Sequence, residues 1–284
     1  MSTRIRLPYR AGSFYAATAS RLHRELTGCF THEFGPGAPP SPQGENLQKT
    51  VALISPHAGY MYSGPVAATG FHYIAKEGQP DTVIIIGPNH TGYGSGASVI
   101  VEGVWRTPLG DISINTQLAS AIQRNAQYLD IDPIAHRYEH SIEVQLPFLQ
   151  YVYDQIQLVP ICMQMQDLEV SSDIGRAIAD EIDGLNVLII ASTDFSHYEP
   201  QPIARQKDEK AIMAITQLDQ EALQNVIQTY NISMCGYGPV SATIVAAKRL
   251  GATKGRLLQY KTSGDISEDF SQVVGYASIA LIRE

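Results

Sequence analysis

Short apolar runs recur along the chain, each rich in β-branched residues and bounded by Pro, Gly or polar positions. The runs are Val51–Ile54, Thr82–Ile86, Gln157–Cys162 and Asn186–Ala191. A strand that is covered on both faces is apolar at successive positions, whereas a half-exposed strand alternates between apolar and polar residues. The four runs therefore predict interior strands of a sheet.

Segments with the spacing of helices lie between these runs. An alternation of strand and helix is typical of α/β proteins, in which helices cover the faces of a parallel sheet. We therefore predict a central sheet, mostly parallel or mixed, that is flanked by helices on both faces. The predicted helices are Ala19–Phe30, Gly64–Ala75, Thr116–Asn125, Ser172–Ile182, Ile203–Leu218, Glu221–Thr229 and Pro239–Leu250.

Three regions depart from this alternation. Ser98–Trp105 and Asp111–Ile114 are separated by a short Pro- and Gly-containing turn and predict a β-hairpin. Leu257–Thr262 and Val273–Ile282 predict two late strands at an antiparallel edge. Phe34–Asn46 is so rich in Pro and Gly that we expect an exposed loop without regular structure.

Length and composition favour one folded domain. The chain has 284 residues, of which 44% are hydrophobic and 17% are charged, so it can bury a large core and is too apolar for a disordered protein. The Pro-rich loop lies too close to the N-terminus to separate two sizeable domains, and no internal repeat is present. We expect a single domain over residues 1–284.

Charge and cysteine content narrow the possible partners and compartment. A net charge of -8 and a pI near 5.5 argue against nucleic acid or an anionic membrane as partner, because phosphate binding requires a basic surface. No apolar stretch approaches the roughly 18 residues of a spanning helix, and the N-terminal segment lacks the apolar core of a secretory signal. Three widely spaced cysteines suit free thiols in a reducing compartment. The predicted location is the cytoplasm.

Polar residues that can bind a metal follow three of the predicted strands. His57 follows the first strand and His90 the second, while Asp194 and His197 follow the last as an Asp-x-x-His pair. In an open α/β sheet, ligands bind in the crevice outside the carboxyl ends of the strands. If the strands are parallel, these side chains meet there, and we expect a small molecule or a peptide to bind at this edge.

A single histidine at a strand end is more often a structural hydrogen-bonding group than a metal ligand. Three histidines in the same setting make a metal centre as plausible as a structural role. Imidazole is a common metal ligand, and two imidazoles with one anionic ligand leave coordination positions open for a substrate. The remaining histidines lack this setting, and we assign no role to them: His23, His32, His72 and His136.

Two other segments carry candidate chemistry. Glu139, His140 and Glu143 are expected at the start of a helix, where the carboxylates would complement the helix dipole and His140 would be a neutral proton acceptor. Cys235 precedes a helix whose first turn holds Pro239, so we expect a lowered thiol pKa and a thiolate able to bind metal. The alternative for Cys235 is a small buried apolar residue, which is the role expected of the other two cysteines.

Seven short segments carry the candidate chemistry and the motifs around it: Ala11–Tyr15, Pro56–Tyr60, Gly87–His90, Arg106–Leu109, Glu139–Glu143, Ser192–His197 and Cys235–Gly236. Taken in order, they resemble the Memo family and its prokaryotic relatives over most of the chain. The resemblance implies a fold similar to class III extradiol dioxygenases, with a non-haem metal site at the strand ends. By this resemblance His57, His90 and Cys235 are the metal ligands, and Asp194, His140 and His197 surround them as acid–base and substrate-binding residues.

The third ligand decides which chemistry the resemblance implies. The dioxygenases use a carboxylate there, and Cys235 replaces it with a thiolate, which suits copper or a different iron chemistry. We therefore expect an iron- or copper-binding redox protein without extradiol cleavage. The family resemblance also implies a functional link to radical-SAM and AMMECR-type proteins.

Two other function classes stay open. One is a metal-dependent hydrolase in which His57, His90 and Asp194 hold zinc and His197 is the base. The other is a non-catalytic module whose former active-site pocket binds a peptide or another partner.

Overall fold

The structure is a computed structural model that describes residues 4–40 and 44–284. Within these residues the strands form one large mixed sheet in the order β1-β5-β6-β8-β3-β9-β2-β12-β10, with β11 paired to β12, and β4 paired to β8 and β7. The strands are β1 (Ile5–Arg6), β2 (Thr50–Ser55), β3 (Thr82–Pro88), β4 (Ala97–Val99), β5 (Val104–Thr107), β6 (Gly110–Ile114), β7 (Asp130–Ile131), β8 (Gln157–Met163), β9 (Val187–Ser192), β10 (His197–Glu199), β11 (Lys254–Thr262) and β12 (Val273–Ile282).

Helices cover both faces of this sheet, which confirms the predicted α/β architecture. One layer contains α1, α2 and α4, which pack against one another, and the other contains α3, α5, α7 and α8. No helix of the described ranges is long and apolar enough to cross a membrane. The helices are α1 (Ala19–Thr31), α2 (Tyr60–Ala75), α3 (Thr116–Asn125), α4 (Leu146–Val152), α5 (Leu168–Ile182), α6 (Gln201–Thr216), α7 (Gln220–Thr229), α8 (Tyr237–Arg249) and α9 (Ser263–Ser267).

The four strands predicted from unbroken apolar runs form the parallel centre of the sheet. β3 lies between β8 and β9, and β9 pairs in parallel with β2. Ile84 of β3, for example, is opposite Val159 of β8 and Ile189 of β9, and all three are fully buried. Since these strands run in the same direction, their carboxyl ends lie along one edge of the sheet.

The late strands are antiparallel, as predicted, but only one of them lies at an edge. β12 pairs antiparallel with β2 and also with β11, so it is an interior strand. Its burial agrees with this position, since nearly every residue of Val273–Ile282 is buried.

The predicted hairpin is wrong in its first arm. Ser98–Trp105 is divided between β4, which pairs with β8, and β5, which forms the actual hairpin with β6. Gly103 lies between the two strands with a φ of 111°, and a Cβ there would be 2.4 Å from the carbonyl oxygen of Arg4. The chain therefore turns at Gly103, where another residue would be strained and would collide with the segment next to β1.

The expected loop at Phe34–Asn46 contains turns and bends without helix or strand in residues 34–40 and 44–46. The prediction for residues 41–43 lies outside the described part of the chain.

Candidate metal centre

Three strand ends and one helix start bring the predicted site residues together. His57, His90 and Asp194 are each the second residue after a strand, namely β2, β3 and β9. Cys235 lies one residue before Gly236, which caps the N-terminus of α8. The parallel centre of the sheet therefore delivers two imidazoles and a carboxyl to one place, and α8 delivers a thiol.

His57, His90 and Cys235 lie close enough to share one ion. One ring nitrogen from each histidine and the Cys235 sulfur are all within 4.8 Å of one another, and Nε2 of His57 is 3.3 Å from that sulfur. Metal–nitrogen bonds of roughly 2.0–2.1 Å and a metal–sulfur bond of about 2.3 Å give an N···S separation of about 3.6 Å in a tetrahedral site. The observed separation is compatible with an ion held between the two atoms.

The tautomer of His57 follows from its hydrogen bonds. Its Nδ1 is 2.9 Å from the hydroxyl oxygen of Ser192, which donates its proton to the carbonyl of Ser141 over 2.6 Å. Gln145 donates a further hydrogen bond to the same hydroxyl oxygen over 2.8 Å. With its only proton engaged, the Ser192 hydroxyl accepts from Nδ1–H of His57. The Nε2 atom is therefore unprotonated and directs its lone pair at the site.

Glu139 sets the tautomer of His90. Its carboxylate accepts hydrogen bonds from Nδ1–H of His90 (2.9 Å) and from the backbone N–H groups of His90 (2.5 Å), His140 (2.7 Å) and Ser141 (2.8 Å). The hydrogen bond from Nδ1–H leaves Nε2 of His90 free for a metal ion. Although burial opposes ionisation, these donors and the neighbouring histidines hold the pKa of Glu139 well below its usual range.

The predicted role of Glu139 as a helix-start residue is wrong, because α4 begins at Leu146 after a 3-10 turn at Glu143–Gln145. The only sequence signal for the actual role was a carboxylate immediately before a candidate histidine.

Glu143 does lie in the first turn of this helical segment, as predicted, but its carboxylate is engaged by the N-terminal part of the chain. Its buried carboxylate pairs with Arg6 and accepts from the backbone N–H groups of Tyr9 (2.9 Å) and Arg10 (2.8 Å) and from the hydroxyl of Tyr15 (2.6 Å). These contacts hold the N-terminal segment against the site.

His140 lies against both candidate histidine ligands. Its ring stacks on His90 at a centroid distance of 4.7 Å and meets His57 edge-on at 5.4 Å, while Phe14 contacts it edge-on at 5.0 Å. Burial, reinforced by the two neighbouring histidines, lowers the pKa of His140 to about 3. The ring is therefore neutral at pH 7 and can accept a proton.

Asp194 contacts the candidate ligands. Within the described residues it does not belong to a group of side chains that could hold one ion. Its Oδ1 accepts from the backbone N–H of His57 over 2.8 Å, and its own N–H lies 3.3 Å from the sulfur of Cys235. Burial raises the pKa of the Asp194 carboxyl. Asp194 is therefore placed to position His57 and Cys235.

His197 lies at the periphery of the site and is half-buried. Its backbone N–H donates to the Ser233 hydroxyl (2.7 Å) and its Nδ1–H to the Ser233 carbonyl (2.9 Å), which leaves Nε2 free. Within the described residues, His197 does not belong to either group of atoms that could hold one ion.

The expected low pKa of Cys235 is wrong for the protein without a bound ion. Burial raises the pKa of this thiol, and the charge of Asp194 raises it further. The partial positive charge at the start of α8 does not offset these two effects on the pKa. Formation of the thiolate therefore depends on a bound cation.

A second group of possible ligands, His90, Glu139 and His140, shares one histidine with the first. The Glu139 carboxylate already accepts four N–H donors, so metal binding there would break the contacts that orient both histidines. The first group has no such conflict, and we take His57, His90 and Cys235 as the candidate metal centre.

Comparison with known proteins gives consistent matches over nearly the whole chain. A family model described as Memo-like protein matches residues 6–280. A MEMO1 family protein of Methanopyrus kandleri is 49% identical over 281 residues, which is 98% of this chain and 99% of the relative. One from Methanothermobacter thermautotrophicus is 48% identical and covers 97% of this chain and 100% of the relative.

A solved structure shares the fold. An uncharacterised protein of Escherichia coli K12 superimposes with a TM-score of 0.55 at 12% sequence identity, covering 82% of this chain and 99% of its own.

Proposed function

The chain belongs to the Memo-like protein family, and from that premise we propose that it is a redox-type metalloprotein whose ion, non-haem iron or copper, is held by His57, His90 and Cys235. The observation that carries the proposal is the 3.3 Å separation between the Cys235 sulfur and the unprotonated Nε2 of His57. Ser192 and Glu139 occupy the Nδ1 atoms of the two histidines, so Nε2 of each ring is left for an ion, and one nitrogen of each ring lies within 4.8 Å of the Cys235 sulfur.

The nature of the donors supports iron or copper. A thiolate with two neutral imidazoles is softer than the carboxylate-containing triads of non-haem oxygenases and suits copper(I) or iron, while zinc also accepts these ligands. Three protein ligands leave at least one position for a substrate. When bound, the ion would supply Lewis-acid and electron-transfer chemistry.

The surrounding residues supply the proton chemistry. Neutral His140, against both ligand rings, is placed to hydrogen-bond a ligand bound in the pocket. Its low pKa makes it a weak base, so it takes a proton only from a strongly acidic donor. His197 presents a free Nε2 at the periphery and is a candidate for binding or relaying a proton to the same ligand. Asp194 fixes the backbone of His57 and the position of the thiol.

The hydrolase alternative has weaker support. It requires Asp194 as the third ligand, yet within the described residues Asp194 belongs to neither group of atoms that could hold one ion. We also propose that the site binds a small molecule or a peptide at the strand ends. The proposal includes a functional link to radical-SAM and AMMECR-type proteins.

Metal content of two variants tests the ligand set. The wild type, Cys235→Ser and Asp194→Asn would be purified anaerobically, and their iron, copper and zinc would be measured together with their visible spectra. We expect Cys235→Ser to lose the metal and Asp194→Asn to keep it. Cys29→Ala, which changes a buried thiol outside the site, is the matched control and should keep the metal. Loss in Asp194→Asn with retention in Cys235→Ser would instead favour the hydrolase.

A further inference from the structure

Arg10 lies against two aromatic rings, one of which contacts His140 at the candidate metal centre. Its Cζ atom lies 4.9 Å from the ring centroid of Tyr9 and 4.7 Å from that of Phe14. Its backbone N–H donates to Glu143 over 2.8 Å. Both the backbone and the side chain of Arg10 are thus fixed before any ligand binds.

The guanidinium of Arg10 has no anionic partner among the described residues. It forms no ion pair there, and its Nε is buried without a hydrogen-bond acceptor. Arg6, four residues earlier, is fully engaged with the Glu143 carboxylate and the carbonyls of His136 and Glu139. An exposed guanidinium binds water, but a buried N–H without an acceptor costs about 1–3 kcal/mol. The aromatic rings attract the charge of Arg10 without supplying an acceptor.

A continuous series of contacts connects Arg10 to the candidate ligands. Phe14, which packs on Arg10, meets the ring of His140 at 5.0 Å, and His140 stacks on His90 at 4.7 Å. The side chain of Arg10 forms no ion pair with Glu139 or Glu143, whose oxygens accept from other groups, among them the backbone N–H of Arg10. Among the described residues, Arg10 is therefore a cation without an ion-pair partner, two ring contacts from His90 through Phe14 and His140, in a protein of net charge -8.

From this arrangement we infer that Arg10 binds the oxyanion of the ligand at the metal centre, so that the substrate class is small acids carrying a carboxylate or a phosphate. The inference rests on the proposed function for the site itself. A guanidinium offers paired N–H donors that match both oxyanions. Arg10 would thus be a specificity-determining residue that orients the acid while another part of the molecule reaches His140 and the ion.

Calorimetric titration of the metal-loaded protein tests this with matched probes. Benzoate and benzamide have the same shape and differ in charge, and inorganic phosphate is the third probe. We expect the wild type to bind benzoate, phosphate or both at least about tenfold more tightly than benzamide, as charge-assisted hydrogen bonds allow. Tighter binding of benzoate would indicate a carboxylate substrate, and tighter binding of phosphate a phosphate ester.

Variants of Arg10 test whether this residue causes the preference for anions over benzamide. Arg10→Gln should lower the affinity for the preferred anion about tenfold or more and leave benzamide unchanged, while Arg10→Lys should retain part of the preference. Arg24→Gln makes the same change of net charge at an exposed position of α1 and should behave as the wild type. Equal affinity for benzamide and both anions, no detectable binding of either anion, or undiminished anion binding in Arg10→Gln would overturn the inference.

Metal content of the same samples separates this inference from the proposed function. A wild type that retains metal but shows no Arg10-dependent anion binding contradicts the inference alone. A wild type that binds no metal contradicts the proposed function, and the anion titration still reports on Arg10 because this residue is not a ligand. If Arg10→Gln fails to fold by circular dichroism, Arg10→Lys provides the comparison, and an anion affinity equal to that of the wild type there would refute the role of the paired guanidinium donors.

Discussion

Replacing Glu139 by Gln should weaken metal binding although Glu139 is not a ligand. The substitution keeps the size of the side chain and removes the charge that His90 uses to fix its tautomer through Nδ1–H. Loss of such a partner typically lowers metal affinity about 10–100-fold. Because the oxygen of the Gln side chain can still accept from Nδ1–H of His90 but carries no charge, we expect a decrease at the lower end of that range for Glu139→Gln.

The cost in folding stability can be worked from the four hydrogen bonds of Glu139. The best placement of the amide oxygen keeps three donors, Nδ1–H of His90 and the N–H groups of His140 and Ser141, and points the NH₂ group at the remaining N–H of His90. One unsatisfied N–H costs about 1–3 kcal/mol, and each bond that loses its charge weakens by about 0.5–1 kcal/mol. A neutral amide loses less solvation free energy on burial than a carboxylate does, which offsets part of this loss of stability. We expect a net loss of about 2–4 kcal/mol.

The pH dependence of the free energy of unfolding gives a second measure of how much the Glu139 carboxylate contributes to folding stability. Its pKa is lower in the folded than in the unfolded protein, so its contribution is complete above the unfolded value of about 4.3 and is lost as the pH falls toward the lower folded value. Below about pH 4, the stability difference between the wild type and Glu139→Gln should therefore shrink.

Glu143→Gln is the matched control. Glu143 is equally buried and accepts four donors, but its partners are in the N-terminal segment and not in the candidate ligands. Denaturant unfolding and metal titration of both variants separate the two effects. Both should lose stability, and only Glu139→Gln should lose metal affinity. Wild-type affinity in Glu139→Gln, or an equal loss in Glu143→Gln, would show that Glu139 does not act through His90.

Two further predictions concern Cys235 and its surroundings. In metal-free protein, alkylation at pH 8 followed by mass spectrometry should label Cys235 faster than either other thiol, because burial raises the pKa of all three and only Cys235 is partly exposed. Equal or faster labelling of another thiol would count against this. Gly236→Ala should abolish metal retention, because the new Cβ would lie 2.6 Å from the carbonyl oxygen of Ser192 and displace Cys235. Gly28→Ala, where a Cβ meets no atom within 4 Å, should retain the metal, and equal retention in both variants would contradict the prediction.

Much of the architecture was determined by local sequence patterns. The apolar runs of β2, β3, β8 and β9 could be recognised because a strand covered on both faces is apolar at every position. The helices between them required a parallel arrangement, which placed His57, His90 and Asp194 at the same edge. The family resemblance, confirmed by the comparisons, added Cys235 to this group.

The tertiary structure alone decided which groups surround those residues. Glu139 and Glu143 have the same local signal, yet one orients His90 and the other anchors a segment more than 130 positions away in the chain. The division of the predicted hairpin at Gly103 depended on the approach of Arg4.

The contact between Cys235 and His57 joins residues 178 positions apart. Arg10 has no ion-pair partner in the described part of the chain because Arg6 pairs with Glu143. Local patterns report the burial and backbone preferences of neighbouring residues. The partner of a charged or hydrogen-bonding side chain is set by which distant groups packing brings within about 3 Å, and this competition between distant groups leaves no periodic trace in the sequence.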